Sequence, residues 1–214
     1  MWLLEHIHHF TLQVQYSSVG LENSEGVDHI VKLGKVIAAI WDNKLFEQAL
    51  KYDMKSLFLL QGSINTLPYM VKRVKDVGGV LFVDVDFIAG LQADEEGLIF
   101  LKKMGINGII TTKGRTIKTA KNMNLSVVLR FFAIDSHAVE KGIEQIRNYS
   151  PDYVEILPGV AAVRVIKRMK LGSQVIAAGL LDNPQDVKEV FKSKIKYIST
   201  SSVEIWKWYK SGRI

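Results

Sequence analysis

QVIAAGLLDNPQDVKEVFKSKIKYISTSS (174–202) decides how the rest of the chain is read. QVIAA (174–178) is an apolar run with little alternation, which predicts a strand covered on both faces. Asp182, Asn183 and Pro184 then supply a cap residue followed by a proline suited to a first helical turn. QDVKEVF continues as a helix, and YISTS (197–201) returns to strand character. Strand, loop, helix and strand in that order predict two parallel strands joined by a crossover.

The same grammar runs through the chain from residue 35. The apolar runs are VIAAI (36–40), SLFLLQ (56–61), VLFVDV (80–85), GIITT (108–112), VVLRFF (127–132), YVEIL (153–157), QVIAA and YISTS. Their centres fall about 19 to 27 residues apart, room for one strand and one helix per step. Eight such units point to a (β/α)₈ barrel, with a doubly wound open sheet as the alternative. Residues 35–214 are few beside the about 250 typical of the barrel, so helices and loops must be short. Between the strands, Ser136 is the expected cap of HAVEKGIEQIR. Ser63 precedes INTLPYMVKRVK, whose start is blurred by Pro68.

Residues 1–34 stand outside this repeat as an N-terminal extension, with GVDHIVKLG (26–34) expected as a short helix closing the barrel's bottom. His6, His8 and His9 cluster there, but no Cys, Asp or second His pair follows at ligand spacing, so no metal is expected. MWLLEHIHHF lacks the pattern of a secretory signal. No run approaches the roughly 18 apolar residues of a membrane span, so a soluble cytoplasmic protein is expected. The 214 residues include no cysteine, which excludes disulfides and thiolate metal sites. Lys and Arg number 28 against 22 Asp and Glu, a formal charge of +6 that accommodates a polyanionic partner or an ordinary basic surface.

In a barrel, function gathers where the strands end. Gly179 and Leu180 after the seventh strand and Ser201 and Ser202 after the eighth predict a phosphate site, built from close backbone approach, N–H groups and hydroxyls. Arg130 and Glu155 lie on adjacent strands, as a buried ion pair or as ligand contacts. Lys113 ends the fourth unit. Asp84 and Asp86, two residues apart at the end of the third strand, should share a face and look into the mouth. Such a pair could hold a divalent cation, accept hydrogen bonds from ligand hydroxyls, or serve as a general base.

LFVDVDFIAGLQADEEG, GIITTKGRTIKTAK, RFFAIDS, PDYVEILPG, AAGLL and STSSVEIW occur in order between Leu81 and Trp206. Together they resemble the glycerol uptake operon antiterminators, glycerol-3-phosphate-responsive regulators of bacteria. The resemblance implies a non-catalytic barrel that senses glycerol 3-phosphate, without a cofactor, and binds an mRNA leader to prevent premature termination of transcription. It implies phosphate at Gly179, Leu180, Ser201 and Ser202, with glycerol hydroxyls near Asp86, Glu155 and Arg130. The chain departs from the family's pattern in three places. Asp84 replaces the usual His, Ala178-Gly179 replaces paired glycines, and Lys113 replaces an Arg, keeping charge without the guanidinium fork. An anion at position 84 would repel a nearby phosphate, which marks a divergent member.

No RNA-binding motif stands out; the available basic residues are Arg115, Lys118 and Lys121 in one unit and Arg164, Lys167, Arg168 and Lys170 in another. The competing reading is a barrel enzyme acting on a phosphorylated metabolite with Asp84 or Asp86 as base. Assembly into a homo-oligomer is open.

Overall fold

The structure, a computed structural model, describes residues 30–169 and 174–214. The HIHH cluster and Lys170 lie outside them. Eight parallel strands close into one barrel: β1 (Val36–Ile40), β2 (Ser56–Leu59), β4 (Val80–Asp84), β6 (Gly108–Thr111), β7 (Ser126–Phe132), β8 (Tyr153–Leu157), β9 (Gln174–Ala178) and β10 (Tyr197–Thr200). Closure is made by β1 and β10, in the register Val36 to Ile198 and Ala38 to Thr200. The open-sheet alternative is thereby excluded. Two short strands, β3 (Gly62–Ser63) and β5 (Ile88–Ala89), pair with each other above the rim.

Alternation along each strand divides two cores. Val36, Ala38, Leu57, Leu59, Val83, Val127 and Leu129 face outward under the helices. Ile37, Phe58, Phe82, Ile110, Val128, Tyr153 and Ile176 fill the barrel. Aromatic rings bridge the lower interior: Phe58 to Phe82 at 5.5 Å, Phe82 to Tyr153 at 6.5 Å and Tyr153 to Tyr197 at 5.7 Å between centroids. Gly108 makes this possible, because a side-chain carbon there would penetrate the Phe82 ring and crowd the Ser126 carbonyl.

The helices are α1 (Asn43–Lys51), α2 (Leu67–Asp76), α3 (Glu95–Met104), α4 (Gly114–Asn122), α5 (Ser136–Tyr149), α6 (Gly159–Val165), α7 (Pro184–Lys192) and α8 (Val203–Lys210). A carboxylate or amide one residue before the helix recurs as the cap. Asp42 accepts from Leu45 N–H, Asp94 from Gly97 N–H, and Asn183 from Asp186 N–H. At α5 the cap is Asp135, which accepts from Ala138 N–H at 2.7 Å, and Ser136 is the first helical residue. The carboxylate is the stronger acceptor and it sits one residue earlier. At α2 the helix begins at Leu67, with Pro68 in the first turn and no side-chain cap.

Residues 30–34 are extended, not helical. They close the bottom of the barrel by side-chain anchoring of the backbone. Val31 N–H donates to Ser126 Oγ, Gly34 N–H donates to Ser56 Oγ, and Tyr153 OH donates to the Val31 carbonyl at 2.9 Å. Three polar groups at the strand starts satisfy this segment, which leaves no reason for it to coil.

Gly108→Ala is expected to destabilise the protein by about 2–3 kcal/mol in urea unfolding, since the added carbon overpacks a filled layer. Phe82→Leu should restore only part of that loss, because the Ser126 carbonyl still crowds the new methyl.

Candidate functional site

The upper layer of the barrel interior is charged. Arg130 on β7 is 5% exposed, and it lies between Asp84 on β4 and Glu155 on β8, each 1% exposed. Its Nε donates to Glu155 Oε2 at 2.5 Å, and its Nη1 donates to Asp84 Oδ2. Arg130 and Glu155 are in direct register on neighbouring strands, so their ion pair follows from sheet geometry. Asp84 lies two strands away, beyond β6, and is reached on the inner face of the curved sheet.

Two buried carboxylates share one guanidinium. Burial pushes the Asp84 carboxyl up to about 6, against the opposing pull of Arg130 and of the hydrogen bond from Asp86 N–H. Burial also disfavours the charge on Arg130, but Glu155 and Asp84 outweigh it and hold the guanidinium above its usual range.

Asp86 goes elsewhere. The strand ends at Asp84 and the chain turns at residues 85–86, so the period-two expectation of a shared face fails there. The Asp86 carboxylate reaches the loop after β6, accepting from Thr112 N–H at 2.8 Å, Thr112 Oγ1 at 2.9 Å and Thr111 Oγ1 at 3.2 Å. Lys113 Nζ adds an ion pair at 3.1 Å. Burial would raise this carboxyl, but the Thr112 and Lys113 contacts dominate and hold it below the ordinary aspartate range. Asp84 and Asp86 therefore have different partners. Among the described residues, no group of three or more His, Cys, Asp or Glu could hold a metal ion.

Above the Arg130 layer opens a cavity of about 740 Å³, within the roughly 300–1,000 Å³ of small-molecule sites. Arg130 and Glu155 form part of its floor. Gly179 and Leu180 after β9 and Ser201 and Ser202 after β10 line it side by side. Asp84, Asp86 and Lys113 do not line it; they stand behind or beside the floor. Arg130 is the sole cation among the described lining residues, and it is already shared by two carboxylates.

Gly179 and Leu180 both adopt left-handed backbone, at φ 73° and 55°. Glycine does this freely; leucine does so at a cost of order 1–3 kcal/mol, and such outliers cluster at ligand sites. Leu180 is also 68% exposed, so packing does not explain its conformation. On the neighbouring strand, Thr200 Oγ1 donates to the Leu181 carbonyl at 2.8 Å and accepts from Ser202 N–H at 3.1 Å. Ser202 then caps α8, whose N-terminus opens beside the cavity. The seventh and eighth strand ends are thus tied together.

Two features of the mouth escaped sequence reasoning. Trp41, Phe87 and Phe132 line the cavity and are exposed, as is Leu180. Phe132 was accessible to it, because period two along β7 puts Phe132 on the face of Arg130. The left-handed Leu180 left no trace in residue type. The basic residues read from sequence are dispersed. Lys121 Nζ donates to the Ser150 carbonyl and pairs with Asp152 at 3.7 Å, and Arg168 pairs with Glu140 at 3.4 Å. Arg115 and Lys118 lie on α4, Arg164 on α6, and Lys167 in the single 3₁₀ turn after it.

The ends of the seventh and eighth barrel strands, with small-residue backbone, hydroxyls and a helix N-terminus, occupy the place where many such barrels build a phosphate site. A profile of the glycerol-3-phosphate responsive antiterminator family matches residues 36–206, and the chain belongs to that family. The chain is similar to a glycerol uptake operon antiterminator-related protein of Thermotoga maritima MSB8, with 42% identity and a TM-score of 0.75. The match covers 82% of this chain and 99% of that one. It is also similar to a glycerol uptake operon antiterminator regulatory protein of Listeria monocytogenes strain 4b F2365, with 31% identity and a TM-score of 0.75 over 81% and 95% of the two chains. An uncharacterised protein of Escherichia coli K12, YgcP, is 29% identical over 180 residues, 83% of this chain and 94% of the other.

Arg130→Met is expected to cost about 3–5 kcal/mol at neutral pH, by stranding two buried carboxylates; adding Asp84→Asn should recover a large part in thermal or urea unfolding. Asp84 also predicts a pH dependence. Its folded value of about 6 lies above the 3.8 of an ordinary aspartate, so its contribution is fully present below pH 3.8 and is lost as pH rises towards 6. Stability measured across that window should fall less steeply in Asp84→Asn than in the native chain.

Proposed function

We propose that this protein is a non-catalytic sensor that binds glycerol 3-phosphate, or a small phosphorylated ligand like it, in the cavity at the barrel mouth. Ligand occupancy then governs binding to an mRNA leader in the cytoplasm, preventing premature termination. The reading is carried by the left-handed Gly179–Leu180 turn, which lies beside Ser201, Ser202 and the α8 N-terminus at one cavity. Backbone N–H groups and hydroxyls in such a cradle suit a phosphate. Glycerol hydroxyls would meet Glu155 and Arg130 on the floor. Asp84, Asp86 and Lys113 act behind them, by holding Arg130 and the loop after β6.

Asp84 does not present a free negative charge to the phosphate, because Arg130 partners it. Equally, Arg130 brings no unspent positive charge. Phosphate affinity in this chain would therefore rest on hydrogen bonds more than on an ion pair. The enzyme alternative finds little support: Asp84 is held by Arg130, Asp86 is held by two threonines and a lysine, and neither carboxylate lines the cavity where a substrate would sit.

Two measurements check this. Glycerol 3-phosphate should raise the melting temperature, with glycerol and inorganic phosphate giving smaller shifts at equal concentration. The leader RNA of the glycerol-utilisation genes in the same genome should bind with an affinity that changes on adding glycerol 3-phosphate at moderate salt. An affinity indifferent to the ligand would refute the sensor.

A further inference from the structure

The end of the barrel opposite the mouth carries an organised positive surface. The turn Ser193–Lys196 links α7 to β10, and a cleft opens on each side of it. One cleft, of about 780 Å³, is lined by Lys167, Lys192, Lys194 and Lys196 beside Gln174 and Tyr197. The other, of about 930 Å³, shares Lys192, Lys194 and Lys196 and adds Lys35, Lys188 and Arg213. Among the described residues, seven different cations line the two clefts, and no Asp or Glu lines either. In a chain with 28 basic and 22 acidic residues, that separation is not the general excess of charge.

All seven are exposed. Lys192 has an exposed ion pair with Glu189 at 2.6 Å, of the kind that water screens to little value. Lys188 lies 5.6 Å over the Trp208 ring. The second cleft also has an apolar side, from Leu33, Phe191, Ile195 and Tyr197. Cations over a groove with aromatic walls match a polyanion whose bases present π-faces, which is how single-stranded nucleic acid is held without sequence readout. A flat basic surface for lipid headgroups would have no use for paired clefts.

We infer that the leader RNA docks on these two clefts, around the lysine turn before β10, at the far end of the barrel from the ligand mouth. The inference rests on the proposed function and assigns its RNA face. It moves that face away from Arg115, Lys118 and Lys121, and it takes in Lys167 of the second basic group. The lysine turn and the cavity are the two ends of one strand. β10 runs from Tyr197, beside the lysines, to Thr200, which leads into Ser201 and Ser202. Four residues span about 13 Å.

The test uses the full chain. Binding of the same leader RNA, and of a mixed-sequence single strand of equal length, is titrated across salt concentrations. The Lys194→Gln/Lys196→Gln variant should bind both about tenfold more weakly at low salt, with a salt slope shallower by about 1.4, roughly 0.7 per lost contact on a single strand. Lys194→Arg/Lys196→Arg should bind as the native chain does. Arg115→Gln/Lys118→Gln on α4 should also be unaffected. An unchanged melting temperature, and an unchanged shift with glycerol 3-phosphate at the other end, would show that the Gln variant is folded. Native affinity and slope in the Lys194/Lys196 variant, or a loss confined to the Arg115/Lys118 variant, would overturn this assignment and leave the sensor reading intact. A native chain that binds phosphatidylserine vesicles but no RNA at any salt would overturn both.

Discussion

One guanidinium organises the working end of this barrel. Arg130 is buried with two carboxylates, one on the adjacent strand and one two strands away, and the three cannot be separated without leaving charge in a low-dielectric core. The adjacent partner, Glu155, comes with strand register. The other partner, Asp84, links β4 to β7 over the intervening β6 through a side chain. With the interior filled below by Phe58, Phe82 and Tyr153, this charged layer is the floor on which a ligand would rest.

That floor explains why the two aspartates of VDVD have separate lives. Asp84 is the last residue of its strand and remains inside. Asp86 has passed the turn and fastens the loop after β6, through Thr111, Thr112 and Lys113. One carboxylate is pushed up by burial and the other is held down by donors, although they are two residues apart. Environment, not residue type, sets their character.

The chemistry of the mouth and that of the opposite end are different in kind. The mouth is built from backbone, hydroxyls, exposed aromatic rings and a cation already neutralised. The opposite end displays lysines on a turn with no acid between them. A barrel separates such surfaces naturally, because every strand has one end at each.

By itself the sequence determined the repeating unit, and with it a parallel sheet covered by helices. Eight apolar runs at regular spacing bury their faces in a closed barrel or in a doubly wound open sheet, and the pairing of β1 with β10 decides between them. It also marked the strand ends, since Gly179, Ser201, Ser202 and Arg130 interrupt apolar runs where a continuous core would not. What the tertiary structure alone decided is which of these polar residues spend themselves on each other. Asp84 and Arg130 are 46 positions apart and meet only because the sheet curves, bringing β4 and β7 together over β6. Leu180 is left-handed in a loop whose next residue, Leu181, accepts a hydrogen bond from Thr200, and no residue type announces that conformation. Lys35, Lys167, Lys194 and Arg213 become one surface only when the first strand closes on the last. Periodicity is local and is written in the chain; partnership across a closed barrel depends on closure, which no local pattern contains.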